Sequence, residues 1–262
     1  MSSSSTQSTD TTHRTQRVAV VTGAARGIGA ATALRLAQDG NAVAVLDLDE
    51  AACAGTVDAI TTAGGRAIAV GVDVSKADQV EAAVARVADE LGAPTILVNN
   101  AGISHFGPFL RIDLETWQRV LDVNLTGTYH CCQVVVPHMI AAGWGRIVNI
   151  SSSSTHGGQP MMSAYVSAKS AVIGLTKSLA LELGPKGITV NTIPPGFIDT
   201  PMLRDSEAKG LLGPGVEAAI ATTPVRRIGR PDDIAAATAF LVSEEASYVT
   251  GQVIGVNGGR NT

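Results

Sequence analysis

Short runs of β-branched and small apolar residues recur along the chain, each followed by a longer stretch whose apolar positions fall three or four apart. The first run, "RVAVVTG" from Arg17, closes on a glycine and yields to "GIGAATALRLAQDG", whose spacing predicts a helix ended by Gly40. The same alternation continues. "AVAVLDLD", "RAIAVGVDV", "PTILVNNAG", "GRIVNISS", "ITVNTI" and "GQVIGVNGG" read as further buried strands. Helical spacing falls at about residues 50–63, 76–91, 116–123, 125–142 and 163–183, and a last helix begins at Pro231. Strands alternating with helices predict an α/β fold in which a parallel sheet, doubly wound, is covered by helices on both faces. No break in composition divides residues 16–262, so one domain is expected. The long stretch 194–223 shows no clear periodicity and is expected to be an irregular substrate-binding loop.

Composition narrows the function classes. Hydrophobic residues make up 45% and charged ones 16%, which suits a well-buried sheet. The formal net charge of -4, without a basic run, gives no footprint for nucleic acid. No apolar run approaches the length of a membrane span, and the first fifteen residues, "MSSSSTQSTDTTHRT", lack the apolar core of a signal peptide. A disordered tail at 1–15, no membrane partner and a cytoplasmic location are therefore expected. Cys53, Cys131 and Cys132 form neither a disulfide framework nor a spaced ligand set, and no metal is expected.

The first strand–helix junction carries "TGAARGIG". Gly23, Gly27 and Gly29, with Arg26 and Ile28 between them, allow a tight turn and close backbone approach to a ligand, at a helix N-terminus suited to a pyrophosphate. The spacing G-x-x-x-G-x-G departs from the commoner dinucleotide fingerprint G-x-G-x-x-G. Asp47 ends the second strand where a carboxylate can accept from an adenosine ribose, and Leu48 after it brings no cation. A 2′-phosphate at about 4 Å would be repelled by roughly 4 kcal/mol at an effective dielectric near 20. NAD is thus expected over NADP, although Arg26 could offset a phosphate. In "SAYVSAKSAV", Tyr165 and Lys169 stand four apart on one helical face.

Taken in order, "TGAARGIG", "VDVS", "NNAG", "NLTG", "NISS", "YVSAK" and "PPGFIDTPM" resemble the short-chain dehydrogenase/reductase family, nearest in pattern to its 3-oxoacyl-carrier-protein reductase branch. The resemblance spans almost everything from Arg17 to Gly259. It implies a Rossmann-type, seven-stranded parallel sheet of order 3-2-1-4-5-6-7, with the cofactor at the switch point between strands 1 and 4. It further implies that Asp73 and Val74 meet the adenine. Asn99 and Asn100, with Ala101 and Gly102, would form the cofactor floor, while Pro195, Gly196, Ile198 and Thr200 would hold the nicotinamide end. The doubled proline, Pro194–Pro195, departs from the usual pattern.

By the same resemblance Asn124, Ser152, Tyr165 and Lys169 are the catalytic set. Tyr165 would exchange a proton with the carbinol oxygen, and Lys169 would make the phenol more acidic and reach the nicotinamide ribose. Ser152 would donate to the substrate oxygen, and Asn124 would hold a water linking Lys169 to solvent. Ser151, Ser153 and Ser154 are rivals of Ser152 by composition alone. The expected enzyme is an NAD-linked dehydrogenase of secondary alcohols, or ketone reductase. Phe106, Phe109, Met161, Met162, Met202, Leu203, Leu211 and Leu212 would give its substrate site an apolar wall, with His105 and His156 as lesser neighbours. An NADPH-dependent 3-oxoacyl thioester reductase and a non-catalytic NAD-binding scaffold are the alternatives. The stretches 125–142 and 163–183 resemble helices that pair between subunits in relatives, which implies a homotetramer.

Overall fold

Every residue of the first strand is buried, and its side chains alternate between two cores, as a sheet covered on both faces requires. Val18 and Val20 enter one core, Ala19 and Val21 the other. In the computed structural model, which describes residues 16–213 and 215–260, the elements run in the order β1 (Val18–Thr22), α1 (Gly27–Gln38), β2 (Ala42–Asp47), α2 (Ala54–Thr62), β3 (Ala67–Gly71), α3 (Ala77–Glu90), β4 (Pro94–Asn99), α4 (Leu114–Leu121), α5 (Gly127–Ala142), β5 (Gly145–Ile150), α6 (Ser154–Gly157), α7 (Ser163–Leu183), β6 (Ile188–Ile193), α8 (Pro201–Ala208), α9 (Gly215–Thr222) and α10 (Pro231–Leu241). The tail expected at 1–15 lies outside the described residues.

The six strands form one parallel sheet of order β3-β2-β1-β4-β5-β6. Val80, Val84 and Val87 of α3, Cys131, Val135 and Met139 of α5, and Leu183 of α7 pack on one face. Leu36 of α1, Ile60 of α2 and Ile234 and Leu241 of α10 pack on the other. Neighbouring β2 and β4 leave β1 on opposite sides, so the loops after β1 and β4 diverge and open a crevice at the carboxyl ends of the strands.

Two expectations need correction. The seventh strand is broken: the segment after Gly251 runs beside β6 through isolated parallel bridges, Thr192 to Val253 and Pro195 to Val256. Gly251, Gly258 and Gly259 have φ of +71°, +67° and +83°, which interrupts extended backbone. The Asn191 side chain also takes part of the pairing, donating to Val249 O and accepting from Gln252 N. Secondly, 194–223 is not irregular, because it contains α8 and α9. The Thr200 hydroxyl accepts from Leu203 N and Pro201 occupies the first helical position, a start signal present in the sequence.

At the far end of the sheet Arg17 and Arg146 stack on Trp144, with guanidinium carbons 3.2 and 4.3 Å from the ring centre. Glu244, just beyond α10, pairs with both arginines and accepts from the Trp144 indole. Cation–π attraction and charge pairing thus fasten the first strand to the segment that follows the last helix. All three cysteines are free and buried, and burial pushes the Cys53 thiol up to about 11 and Cys132 to about 12.

Candidate active site

The glycine turn after β1 is shaped by contact as much as by conformation. Gly27 has φ +60°, and a Cβ on Gly29 would stand 2.2 Å from Gly23 O, inside any permitted approach. Gly29 is buried and faces this turn, so it acts through packing, whereas Gly23, Arg26, Gly27 and Ile28 line the crevice. Asn100 latches the turn to β4: its Nδ2 donates to Thr22 O and Gly23 O, each at 2.9 Å. Thr22 Oγ1 accepts from both Asn100 N and Ala101 N at 3.0 Å, a positioning role that sequence reasoning did not assign. Asn99 is not part of the cleft floor. It is buried under the sheet end, where it donates to Asn149 Oδ1 at 2.9 Å and ties β4 to β5.

One cleft of about 1340 Å³ runs along the carboxyl ends of the strands. It brings together Asp47, Leu48, Asp73, Val74, Asn100, Ala101, Gly102, Asn124, Ser152, Tyr165, Lys169, Pro195, Gly196, Ile198 and Thr200, far apart in sequence. Asp47 is held by two amides, accepting from Ala25 N at 3.0 Å and Leu48 N at 2.8 Å. Each carboxylate oxygen keeps capacity for a further donor. Asp73 Oδ1 accepts from the amide and hydroxyl of Ser75, which leaves Oδ2 without a recorded contact among the described residues. Leu48 is 73% exposed at the cleft edge.

At the other end α4 and α5 are joined by a π-helical turn, Asp122–Thr126, which carries Asn124 inward. Asn124 is fully buried, so it is not a capping residue; its Nδ2 donates to Val120 O and Ile103 O, each at 2.9 Å. Its Oδ1 has no partner among the described residues. A Cβ on Gly102 would lie 2.6 Å from that oxygen and 3.3 Å from Lys169 Nζ, so the two polar atoms flank one point of the floor. Val120, Ala164 and Ala168, with Trp117, Leu121 and Leu125, pack α4 against α7 and fix the turn that bears Tyr165.

The four serines separate by environment. Ser151 is buried and its hydroxyl donates to Lys169 O at 2.9 Å, which locks the end of β5 to α7. Ser152 opens into the cleft, its Oγ 2.8 Å from Ser154 Oγ. Enclosure holds the Tyr165 phenol above its ordinary range, and a hydrogen bond with Ser152 draws it partway back. Lys169 Nζ donates to Ile150 O at 2.8 Å and lies 5.9 Å from the centre of the Tyr165 ring. Burial pushes this amine down to about 8. From sequence, the acidity of Tyr165 is assigned to Lys169 together with the positive ring of an oxidised cofactor; in the chain by itself, burial raises the phenol and lowers the amine.

That depressed lysine has a measurable consequence. Between about 8 and the free value of 10.5 the unfolded chain binds more protons at this site than the folded one, so stability should rise with pH across that window. The 2.5-unit gap corresponds to about 3 kcal/mol, a cost fully present below pH 8. Tyr165, with its pKa raised, works in the opposite sense above pH ~10. Urea melts from about pH 8 to 10 should show the rise in wild type and a flatter profile in Lys169→Met; equal slopes would contradict the assignment.

The apolar wall is mostly as expected, since Phe106, Met162, Met202, Leu203, Leu211 and Leu212 line the cleft. Phe109 and Met161 instead point to solvent, at 71% and 49% exposure. His105 lines a small adjoining pocket, and His156 lines neither. Phe197 and Arg260 also line the cleft and were missed. No group of acidic, histidine or cysteine side chains among the described residues could hold a metal, and no described helix is long and apolar enough to cross a membrane. A dinucleotide fits the residues present: the glycine turn admits close backbone approach, and α1 begins with no side-chain cap and no acidic residue in its first turn.

Comparison with known proteins accords with this geometry. Residues 23–261 match the family profile described as "Enoyl-(Acyl carrier protein) reductase". The chain is 46% identical to the short-chain reductase protein NovJ of Streptomyces niveus, covering 99% of this chain and 100% of that one. It is 42% identical to a 3-oxoacyl-[acyl-carrier-protein] reductase of Synechocystis sp., over 94% of this chain and 97% of the other. The solved aldohexose dehydrogenase of Thermoplasma acidophilum superposes with a TM-score of 0.83 at 37% identity, covering 94% of each chain. With that sheet, that glycine turn and these relatives, the chain belongs to the short-chain dehydrogenase/reductase family, oxidoreductases that act on small molecules with a nicotinamide cofactor.

Proposed function

We propose that this oxidoreductase interconverts a secondary alcohol and a ketone with NAD(H). The observation that carries the reading is the single cleft that joins Asp47 at one end to Ser152 and Tyr165 at the other. Gly23, Gly27 and the first turn of α1 would receive the pyrophosphate, and Asp47 the adenosine ribose hydroxyls. Asp73 and Val74 would meet the adenine, Asn100 to Gly102 the middle of the cofactor, and Pro195, Gly196, Ile198 and Thr200 its nicotinamide end. The Thr200 hydroxyl already accepts from Leu203 N, so its proton is the part free to bind. When bound, the cofactor supplies the hydride donor or acceptor and, oxidised, a positive ring beside Tyr165.

The residues of the chain then divide the proton work. Ser152, steadied by Ser154, donates to the substrate oxygen and fixes the carbonyl for attack. Tyr165 gives its proton to that oxygen in reduction and takes it back in oxidation. Its raised pKa favours the protonated donor, as the reducing direction requires, and an oxidised cofactor would supply the positive charge that favours the phenolate. Lys169, anchored on Ile150 O, and the unpartnered Asn124 Oδ1 form the route by which that proton reaches solvent, through a shared water. Exposed Tyr129 and Ile140 on α5 and Leu181 on α7 support a homotetramer.

A second reading, an NADPH-dependent 3-oxoacyl thioester reductase, draws on the Synechocystis relative and on Arg26, exposed at the cleft. One screen separates the two: secondary alcohols with NAD and NADP, and ketones and 3-oxoacyl thioesters with NADH and NADPH, followed by nicotinamide absorbance. Turnover of simple alcohols or ketones with NAD(H) is expected. Turnover confined to thioesters with NADPH would replace the first reading by the second, and cofactor binding without turnover of anything would indicate a scaffold.

A further inference from the structure

The substrate end of the cleft carries a charged side chain that hydride transfer does not use. Arg260 lines the cleft with Phe197, Met162, Leu203, Leu211 and Leu212. Its guanidinium carbon lies 4.6 Å from the centre of the Phe197 ring. Phe197 sits between Gly196 and Ile198, which are proposed to carry the nicotinamide end, so Arg260 stands beside that end of the cleft. Among the described residues its guanidinium makes one hydrogen bond, from Nη1 to Thr222 Oγ1 at 3.3 Å. Two other guanidinium groups, by contrast, are neutralised: Arg204 by Asp199 and Glu207, Arg227 by Asp233. Among the described residues no carboxylate pairs with Arg260. The acidic residues that line the cleft, Asp47, Asp73, Glu115 and Asp122, lie instead at the end of β2, after β3, or along α4 and the π turn that follows it.

A guanidinium lying on an aromatic face keeps its N–H edge free for a planar anion, and a carboxylate matches that edge with two parallel hydrogen bonds. Resting on the alcohol–ketone reading above, we infer that Arg260 recognises a carboxylate on the substrate, which makes that substrate a secondary hydroxy acid, or the corresponding keto acid, with an apolar body between its two ends. Leu203, Leu211, Leu212 and Met162 cover the body, Ser152 and Tyr165 take the carbinol, and Arg260 takes the far end. The phosphate of a thioester carrier lies many bonds from its carbonyl, whereas the carboxylate of a small hydroxy acid lies only a few from its carbinol.

The test compares a hydroxy acid with its primary amide at matched chain length, alongside a coenzyme A thioester, in wild type, Arg260→Gln and Arg260→Lys. Wild type should favour the acid over the amide by about tenfold in kcat/KM. Arg260→Gln should lose that preference through the acid alone, and Arg260→Lys should recover part of it. Equal effects on acid and amide, or none on either, would overturn the assignment; a loss confined to the thioester would move the anion to a carrier phosphate and also overturn it. If wild type turns over no alcohol, the activity reading fails by itself, and calorimetry with a medium-chain aliphatic carboxylate in the presence of NAD then decides Arg260. Weaker binding in Arg260→Gln supports the site; equal binding refutes it.

Discussion

Replacing Tyr165 by phenylalanine is expected to lower kcat by about 10²–10⁴-fold, the range over which a positioned acid/base contributes. The ring survives, so the packing of Val120, Ala164 and Ala168 around it should hold, and cofactor titration should give an unchanged dissociation constant. Only the oxygen that exchanges the proton is lost. KM should move little, because Ser152 still receives the substrate oxygen, and this separates a chemical role from a binding one. The pH profile gives a further check. In wild type the profile should carry both the enclosed phenol and the amine near 8, and the phenylalanine variant only the amine. Retention of wild-type kcat in the phenylalanine variant would remove Tyr165 from the chemistry and with it the proposed reaction.

Asp47 is expected to control cofactor choice. Removing its charge should shift the ratio of kcat/KM for NAD over NADP by about 10²-fold, less than the ~4 kcal/mol of an ideal pair at 4 Å implies, because the cleft edge is open to water. Asp47→Asn is the sharper variant. It keeps an acceptor for Ala25 N or Leu48 N and so preserves the link to the glycine turn, whereas Asp47→Ala frees both amides. A shift in both variants attributes selectivity to charge. A loss of both cofactors in Asp47→Ala alone would mean that the carboxylate serves the turn, and an unchanged ratio in both would end the ribose argument.

Most of this architecture could be read from short-range pattern, and the failures have physical causes. The six strands are legible because five are buried along almost their whole length and all are rich in β-branched and small apolar residues, although β3 at the sheet edge is only partly buried. The seventh run has the same composition, but Gly251 at its start and Gly258 and Gly259 at its end adopt positive φ, which hydrophobicity does not register. The helices within 194–223 were passed over although Thr200–Pro201 is a start signal, because polar and glycine residues on either side hide the period. Tyr165 and Lys169 share a helical face by spacing and gain a role only through the ordered family motifs, yet their electrostatics are not legible there, since burial depends on residues distant in sequence. Ser151 and Ser152 differ only in which way β5 ends. Arg260 and Phe197 meet across 63 positions, and no local window contains both.

The clasp of Arg17, Trp144, Arg146 and Glu244 bears on how this protein comes apart. It joins positions 227 residues distant in the chain, so the first strand and the last helix form a closed loop. Fraying, ordinarily the cheapest local opening near a chain end, then cannot begin at α10 without also loosening β1. Amide protons in the two elements should exchange in step, as parts of one cooperative unit.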